Sequence, residues 1–153
     1  METNEFKPNI IIYNDPNSLA SESYRTLRTN LLLREFDNDL KVINLTSANS
    51  HDGKSTTLLN LAYSLSKVDK KVIVIDMDLR KPTVHKRLGI KNKLGITDLL
   101  SNRVSFEECV NHLDNNFDVI TSGTKIPFTS EFLQSASLSK FVKGLKDRYD
   151  YIF

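Results

Sequence analysis

Apolar residues along this chain follow two alternating rhythms, one of helical period and one of extended runs. Residues 8–14 contain the run Ile10-Ile11-Ile12-Tyr13 and read as an extended lead-in, closed by the turn cluster Asn14-Asp15-Pro16-Asn17. From Ser18 to Phe36, Leu19, Tyr24, Leu27 and Leu31 recur at near-helical spacing with charges between them, which predicts a helix. Lys41 to Thr46 is a β-branched apolar run and predicts a strand. Lys54 to Lys67 returns to the helical period, with Leu58, Leu61, Ala62 and Leu65 on one stripe. Lys71 to Asp76 predicts the best-defined strand. Its apolar residues Val72 to Ile75 do not alternate with polar ones, the pattern of a parallel strand covered on both faces. Helical stretches at 83–88 and 105–113 flank the segment Gly95 to Leu100. Phe117 to Thr121 predicts a third strand, and Ser130 to Tyr149 predicts two helical stretches.

Strands alternating with helices imply crossover connections, hence an α/β fold with a mostly parallel sheet flanked by helices. The last residues, Tyr151-Ile152-Phe153, open a fourth apolar run. A buried strand normally continues into a loop at its carboxyl end, so 1–153 is expected to be a single domain truncated at its C-terminus.

Composition narrows the class. The 153 residues are 39% hydrophobic and 26% charged, with a formal charge of +2, which argues against a disordered tail, a collagen-like fibre or a strongly basic nucleic-acid arm. No run approaches the ~18 apolar residues of a membrane span. Met1-Glu2-Thr3-Asn4-Glu5 lacks a signal-peptide core. The single cysteine, Cys109, cannot form an internal disulfide and reads as a small core hydrophobe. The expected setting is cytoplasmic, without a nucleic-acid partner. His85 and His112 have no partners at metal-ligand spacing and read as packing or surface residues; Lys67, Lys70 and Lys71 read as a solvated basic turn.

Two segments carry chemistry. Ala48-Asn49-Ser50-His51-Asp52-Gly53-Lys54-Ser55 follows one predicted strand and opens a helix, and it matches the phosphate-binding loop pattern with Ala in place of the first glycine. Such a loop curls its amides into a nest, to which the helix start adds about half a positive charge. Lys54 can then reach the β- and γ-phosphates, the Ser55 hydroxyl can hold magnesium, and Gly53 avoids a side chain beside the phosphates. The second segment, Val74-Ile75-Asp76-Met77-Asp78-Leu79-Arg80-Lys81-Pro82, places two carboxylates just past a strand's carboxyl end, where α/β sheets bind ligands. Asp76 and Asp78 can address one magnesium ion or its water shell.

Together, Thr46 to Thr56 and Val72 to Pro82 resemble the bacterial tyrosine kinases, the cytoplasmic autokinases of capsule and exopolysaccharide export, in the MinD/ParA-like branch of P-loop proteins. In that family the first block is the Walker A loop and the second the Walker A′ motif. The resemblance continues through Glu22-Ser23-Tyr24-Arg25-Thr26-Leu27-Arg28, which looks like the family's ring-forming helix, and through Leu94 to Leu100 and Gly123 to Leu133. It implies phosphoryl transfer from ATP to a tyrosine hydroxyl. Ala48 through Thr56 and Arg80 would bind nucleotide, Lys54, Asp76 and Asp78 would be catalytic, and Ser55 and Asp78 would hold Mg2+. Asp76 is the implied base. Glu22, Arg25 and Arg28 would contact a neighbouring subunit, making residues 1–37 an extended segment plus an oligomerisation helix. The implied partners are further copies in a ring and the cytoplasmic tail of a membrane-anchored activator, which would hold the kinase at the inner face of the membrane. Position 51 departs from the family's usual glycine. Asp150 precedes the last apolar run and is not the Walker B aspartate, and the tyrosine-rich tail is absent. A MinD/ParA-type ATPase and an inactive nucleotide-binding remnant are the alternatives; against the first, Ala48 and Asn49 stand where that group carries its signature lysine.

Overall fold

The computed structural model describes residues 8–35, 40–49 and 52–153. In chain order the elements are α1 (Ile11–Asn14), α2 (Leu19–Glu35), α3 (Lys54–Ser66), β1 (Val72–Ile75), α4 (Val84–Leu88), α5 (Ile96–Leu100), α6 (Phe106–Cys109), β2 (Val110–Asp114), β3 (Phe117–Ile120), α7 (Thr129–Leu133), α8 (Ala136–Leu145) and β4 (Tyr151–Ile152). The described strands form one sheet in the order β2-β3-β1-β4. β1 runs parallel to both β3 and β4, and only β2 is antiparallel. This is the mostly parallel sheet flanked by helices that the periodicity predicts.

Strand β1 organises the core. Its side chains point alternately to the two faces, and all four are buried. Val72 and Val74 meet Leu59, Ala62 and Leu65 of α3 with Phe117 and Tyr151, while Ile73 and Ile75 meet Ile96, Cys109, Leu145 and Ile152 on the other side. A strand covered twice cannot afford polar residues on either face, so its apolar run is continuous. Burying each of these side chains contributes about 2 kcal/mol. Tyr63 adds edge-on aromatic contacts to Phe117 and Tyr13, with ring centroids 5.4 and 5.9 Å away.

Four expectations are corrected. Residues 8–14 are not extended throughout: α1 forms one turn because Asn60, buried on α3, accepts the Ile12 amide at 3.1 Å and so satisfies a free donor at that turn. Lys41 to Thr46 is not a regular strand. Only Val42 bridges, in parallel, to Ile152, with hydrogen bonds from Ile43 N to Ile152 O and from Ile152 N to Lys41 O. The stretch 105–113 is not one helix: α6 gives way at Val110 to β2, whose hairpin with β3 turns through Asn116 in the left-handed region (φ 61°). The Asn111 side chain ties this switch by donating to Cys109 O and Val119 O. Lys67 is more than a solvated turn residue, since it pairs with Asp114 at 2.6 Å above the Tyr63 ring. Asp150 accepts the Lys71 amide at 2.8 Å, at the start of β1.

The carboxyl end of β3 is fixed by a close crossing of two backbones. A Cβ on Gly95 would overlap the Thr121 carbonyl oxygen and the Gly123 amide, and Gly123 itself has φ +80°. Buried Asp98 knits the crossing: it accepts from Gly95 N and Thr124 N at 3.0 Å each and from Thr124 Oγ1 at 2.6 Å. Burial alone would raise its pKa, but these hydrogen bonds and Arg103 outweigh burial and hold it below the usual aspartate value.

Two measurements test this. Gly95→Ala should lower the unfolding free energy by about 3 kcal/mol, because the atoms met are backbone and cannot swing away. Asp98 stabilises the fold when ionised, so its contribution is complete above the unfolded value of 3.8 and is lost as pH falls through the lower folded value. In urea titrations, the stability gap between the parent and Asp98→Asn should therefore be full at neutral pH and shrink below about pH 4.

Candidate functional site

Helix α3 starts where its sequence allows a sharp entry. Gly53 adopts φ 85°, ψ 8°, a left-handed conformation that glycine takes without penalty. The first helical hydrogen bond runs from Thr57 N to Gly53 O at 2.8 Å. The amides of Lys54, Ser55 and Thr56 therefore face outward at the positive end of a 13-residue helix. Upstream, Ser47 Oγ donates to Asn49 O, and the Asp52 carboxylate accepts the Asn49 amide at 2.9 Å. Ser50 and His51 lie outside the described residues.

Opposite the start of α3 stands the turn after β1. Asp76 is 5% exposed and receives two backbone donors, Asp78 N on Oδ1 and Val84 N on Oδ2, both at 3.2 Å. Burial raises its pKa most; the two amides pull it back, and the charge of Asp78 pushes it up again, leaving it above the ordinary value. Asp78 accepts the Lys81 amide at 3.0 Å and faces Lys54, with Nζ 3.5 Å from Oδ2. A further link joins the two segments: Thr83 Oγ1 donates to Ser55 Oγ at 3.0 Å.

A cleft of about 900 Å³ opens between these segments, residues 42–46 and helices α7 and α8, and Lys54, Ser55, Asp76, Asp78 and Arg80 all line it. Of the expected site residues, the structure brings together Gly53, Lys54, Ser55, Asp76 and Asp78. Arg80 is exposed on the cleft wall, and Thr56 lies half-buried in the first turn of α3. Ala48, Asn49 and Asp52 form an exposed rim outside the cleft lining. Thr83 escaped the sequence reading. Its signal is local, a threonine behind Pro82 at the N-cap of α4, but its partner is 28 residues away.

Glu22, Arg25 and Arg28 lie along α2 but do not act alike. Glu22 and Arg25 pair at 2.9 Å within the helix, and Arg25 also donates to the Pro16 carbonyl. Arg28 turns inward and donates to Ser64 O on α3 at 3.1 Å. Cys109 is 2% exposed, and burial pushes its thiol up to about 11, the inert core thiol expected from the sequence. His112 is exposed and lies 2.6 Å from Asp118; His85 is half-buried on α4.

Known proteins resemble this chain along most of its length. A family model described as "AAA domain" matches residues 40–153. The chain is 39% identical over 145 residues to the tyrosine-protein kinase YwqD of Bacillus subtilis (strain 168), covering 94% of this chain and 61% of that protein. It superposes on the VpsO kinase domain with a TM-score of 0.75 at 35% identity, covering 88% of this chain and 70% of that one. On the chimerical protein CapA2B2 the TM-score is 0.89 at 30% identity, with 94% and 64% covered. The chain spans about three fifths of the length of YwqD and of the putative tyrosine-protein kinase CapB of Staphylococcus aureus, and about one fifth of longer relatives such as the tyrosine-protein kinase wzc of Salmonella typhi.

Glycine and lysine substitutions separate the roles of the loop. No atom lies within 4 Å of a Cβ built on Gly53, so Gly53→Ala should cost only the left-handed strain, about 1 kcal/mol in a thermal melt. Lys54→Ala should leave the melt within about 0.5 kcal/mol, since its ion pair with Asp78 is half-exposed, yet abolish binding of a fluorescent ATP analogue. Unchanged analogue binding would refute the assignment of this loop.

Proposed function

The chain belongs to the AAA-domain family and, within it, to the bacterial tyrosine-protein kinases, and on that premise we propose that it binds ATP with magnesium and directs a phosphoryl group to a tyrosine hydroxyl. The observation that carries this reading is the 3.5 Å approach of Lys54 to Asp78 across the cleft, beneath the outward-facing amides of α3. A cation from one segment and a carboxylate from the other stand where a triphosphate and its metal need opposite charges.

The residues fit the absent groups. The amides of Lys54, Ser55 and Thr56, with the Lys54 ammonium, would hold phosphate oxygens. Ser55 Oγ and Asp78 would hold magnesium, which when bound supplies charge neutralisation on the phosphates. Thr83 fixes the Ser55 hydroxyl, so Ser55 presents its oxygen in one orientation. Asp76 is the base: each of its oxygens keeps a lone pair beside its one backbone donor, and its raised pKa makes it a stronger proton acceptor than an exposed aspartate. Arg80, exposed on the wall, would lie along the nucleotide.

The same reading assigns the chain to capsular and extracellular polysaccharide synthesis, as a P-loop kinase domain acting in a ring of copies. Exposed Glu22, with Arg25, would meet a neighbouring subunit, and Arg28 would hold α2 against α3. A membrane-anchored activator would engage it through a cytoplasmic tail and keep it at the membrane's inner face. Among the described residues no helix is long and apolar enough to cross a membrane.

Incubation with ATP, magnesium and an activator's cytoplasmic tail should yield phosphotyrosine detectable by antibody, and Asp76→Asn should reduce it by about a hundredfold or more. The base works only when ionised. Because burial raises its pKa, activity should fall on acidification at a pH above the ordinary aspartate value of 3.8. An acid limb at or below that value removes Asp76 from the role. Phosphate release without phosphotyrosine would instead point to an ATPase.

A further inference from the structure

Six of the chain's 21 Lys and Arg residues, Arg80, Lys81, Lys86, Arg87, Lys91 and Lys93, lie between Leu79 and Thr97, a stretch without a single Asp or Glu. Outside it, carboxylates outnumber the basic residues, so a chain of net charge +2 conceals a polarised surface. Five of the six side chains are exposed and Arg87 is half-buried. Among the described residues none of the six forms an ion pair, whereas Lys54, Lys67, Arg25 and Arg103 each face a carboxylate.

The fold gathers these charges beside the cleft. Arg80 and Lys81 follow the carboxyl end of β1, and Arg80 lines the cleft wall. Lys91 and Lys93 flank Asn92, whose side chain accepts the Gly123 amide at 2.8 Å and donates to Ser122 Oγ at 3.0 Å. That anchors them at the carboxyl end of β3, the strand paired with β1. Between these two points, Lys86 and Arg87 lie on α4, whose own start is tied to Asp76. Unpaired cations at the mouth of a cleft repel one another unless an anion shares the surface.

We propose that this stretch is the docking surface for an acidic polypeptide segment that carries the acceptor tyrosine, leading it over the rim toward Asp76. The proposal rests on the kinase reading and extends it to the substrate. A peptide is favoured over a lipid surface because the basic stretch runs into the cleft wall at Arg80, where a flexible chain can follow it and a flat bilayer cannot. It is favoured also because exposed Leu94 is the only large apolar side chain exposed within the stretch, little to insert into a membrane.

The test is fluorescence anisotropy with a labelled peptide holding one tyrosine among glutamates, against the same peptide with glutamines. The glutamate peptide should bind about tenfold more tightly, and the difference should collapse as salt rises from about 0.05 to 0.5 M. Lys91→Glu combined with Lys93→Glu should weaken it about tenfold while leaving ATP-analogue affinity unchanged, which also certifies the fold; the pair Lys91→Gln and Lys93→Gln should fall between. Equal binding of the two peptides, or parent-like affinity in the glutamate variant, overturns the proposal. So does co-sedimentation with phosphatidylglycerol vesicles without glutamate-peptide binding. In the parent protein, equal binding of the two peptides with ATP-analogue binding intact overturns the docking surface alone; an Lys54→Ala protein that still binds the analogue overturns the nucleotide site instead.

Discussion

Burial of Val72, Ile73, Val74 and Ile75 between two helical layers determines where the chain can leave the sheet. A strand with no polar face has no lateral freedom, because a one-residue slip would exchange the partners on both sides at once. Asp76 is therefore delivered to a fixed point, still buried, directly after the last apolar residue. The amides of Asp78 and Val84 meet its two oxygens, and in doing so they shape the following turn and the start of α4. Asp78, Thr83 and the basic stretch inherit their positions from that turn. Helix α3 is held to the same strand through Leu59, Ala62 and Leu65. Site geometry here is a consequence of core packing.

Two buried aspartates show how neighbours decide the sign of a pKa shift. Asp76 and Asp98 are both almost inaccessible, and both accept backbone amides. Asp98 receives three donors and lies near Arg103, so the ionised form wins despite desolvation. Asp76 receives two longer hydrogen bonds and lies beside another carboxylate, so desolvation wins. The first is a structural knot at the end of β3. The second keeps a carboxylate charge poorly compensated in a cleft, the arrangement expected where a cation or a proton is to be received.

Legibility of the fold in the sequence followed the strength of local periodicity. Lys54–Ser66, Val72–Ile75 and Phe117–Ile120 carry one period each and emerge in the structure within a residue or so of expectation. The failures fall where tertiary partners override it. Ile11–Asn14 coils because Asn60, far along the chain, takes the Ile12 amide. Val110–Asp114 joins the sheet because Asn115-Asn116 can turn the chain back onto β3. Residues 41–46 keep a single bridge, Val42 to Ile152, in place of the expected strand. In the site, Gly53, Lys54, Ser55, Asp76 and Asp78 were readable from spacing, since backbone conformation and charge depend on neighbours in sequence. Thr83 against Ser55 and Arg28 against Ser64 were not, since both are contacts between elements.

Around the cleft the chain's own charged and polar groups pair with one another. Lys54 rests against Asp78, and the Asn49 amide rests on the Asp52 carboxylate. Both arrangements are solvent-accessible, so each contributes on the order of 1 kcal/mol or less. Contacts of that strength are readily exchanged. A buried pair would not serve, because breaking one leaves an uncompensated ion and costs several kcal/mol. The cleft thus combines a rigid strand end, set by the core, with a weakly held set of side chains at its mouth.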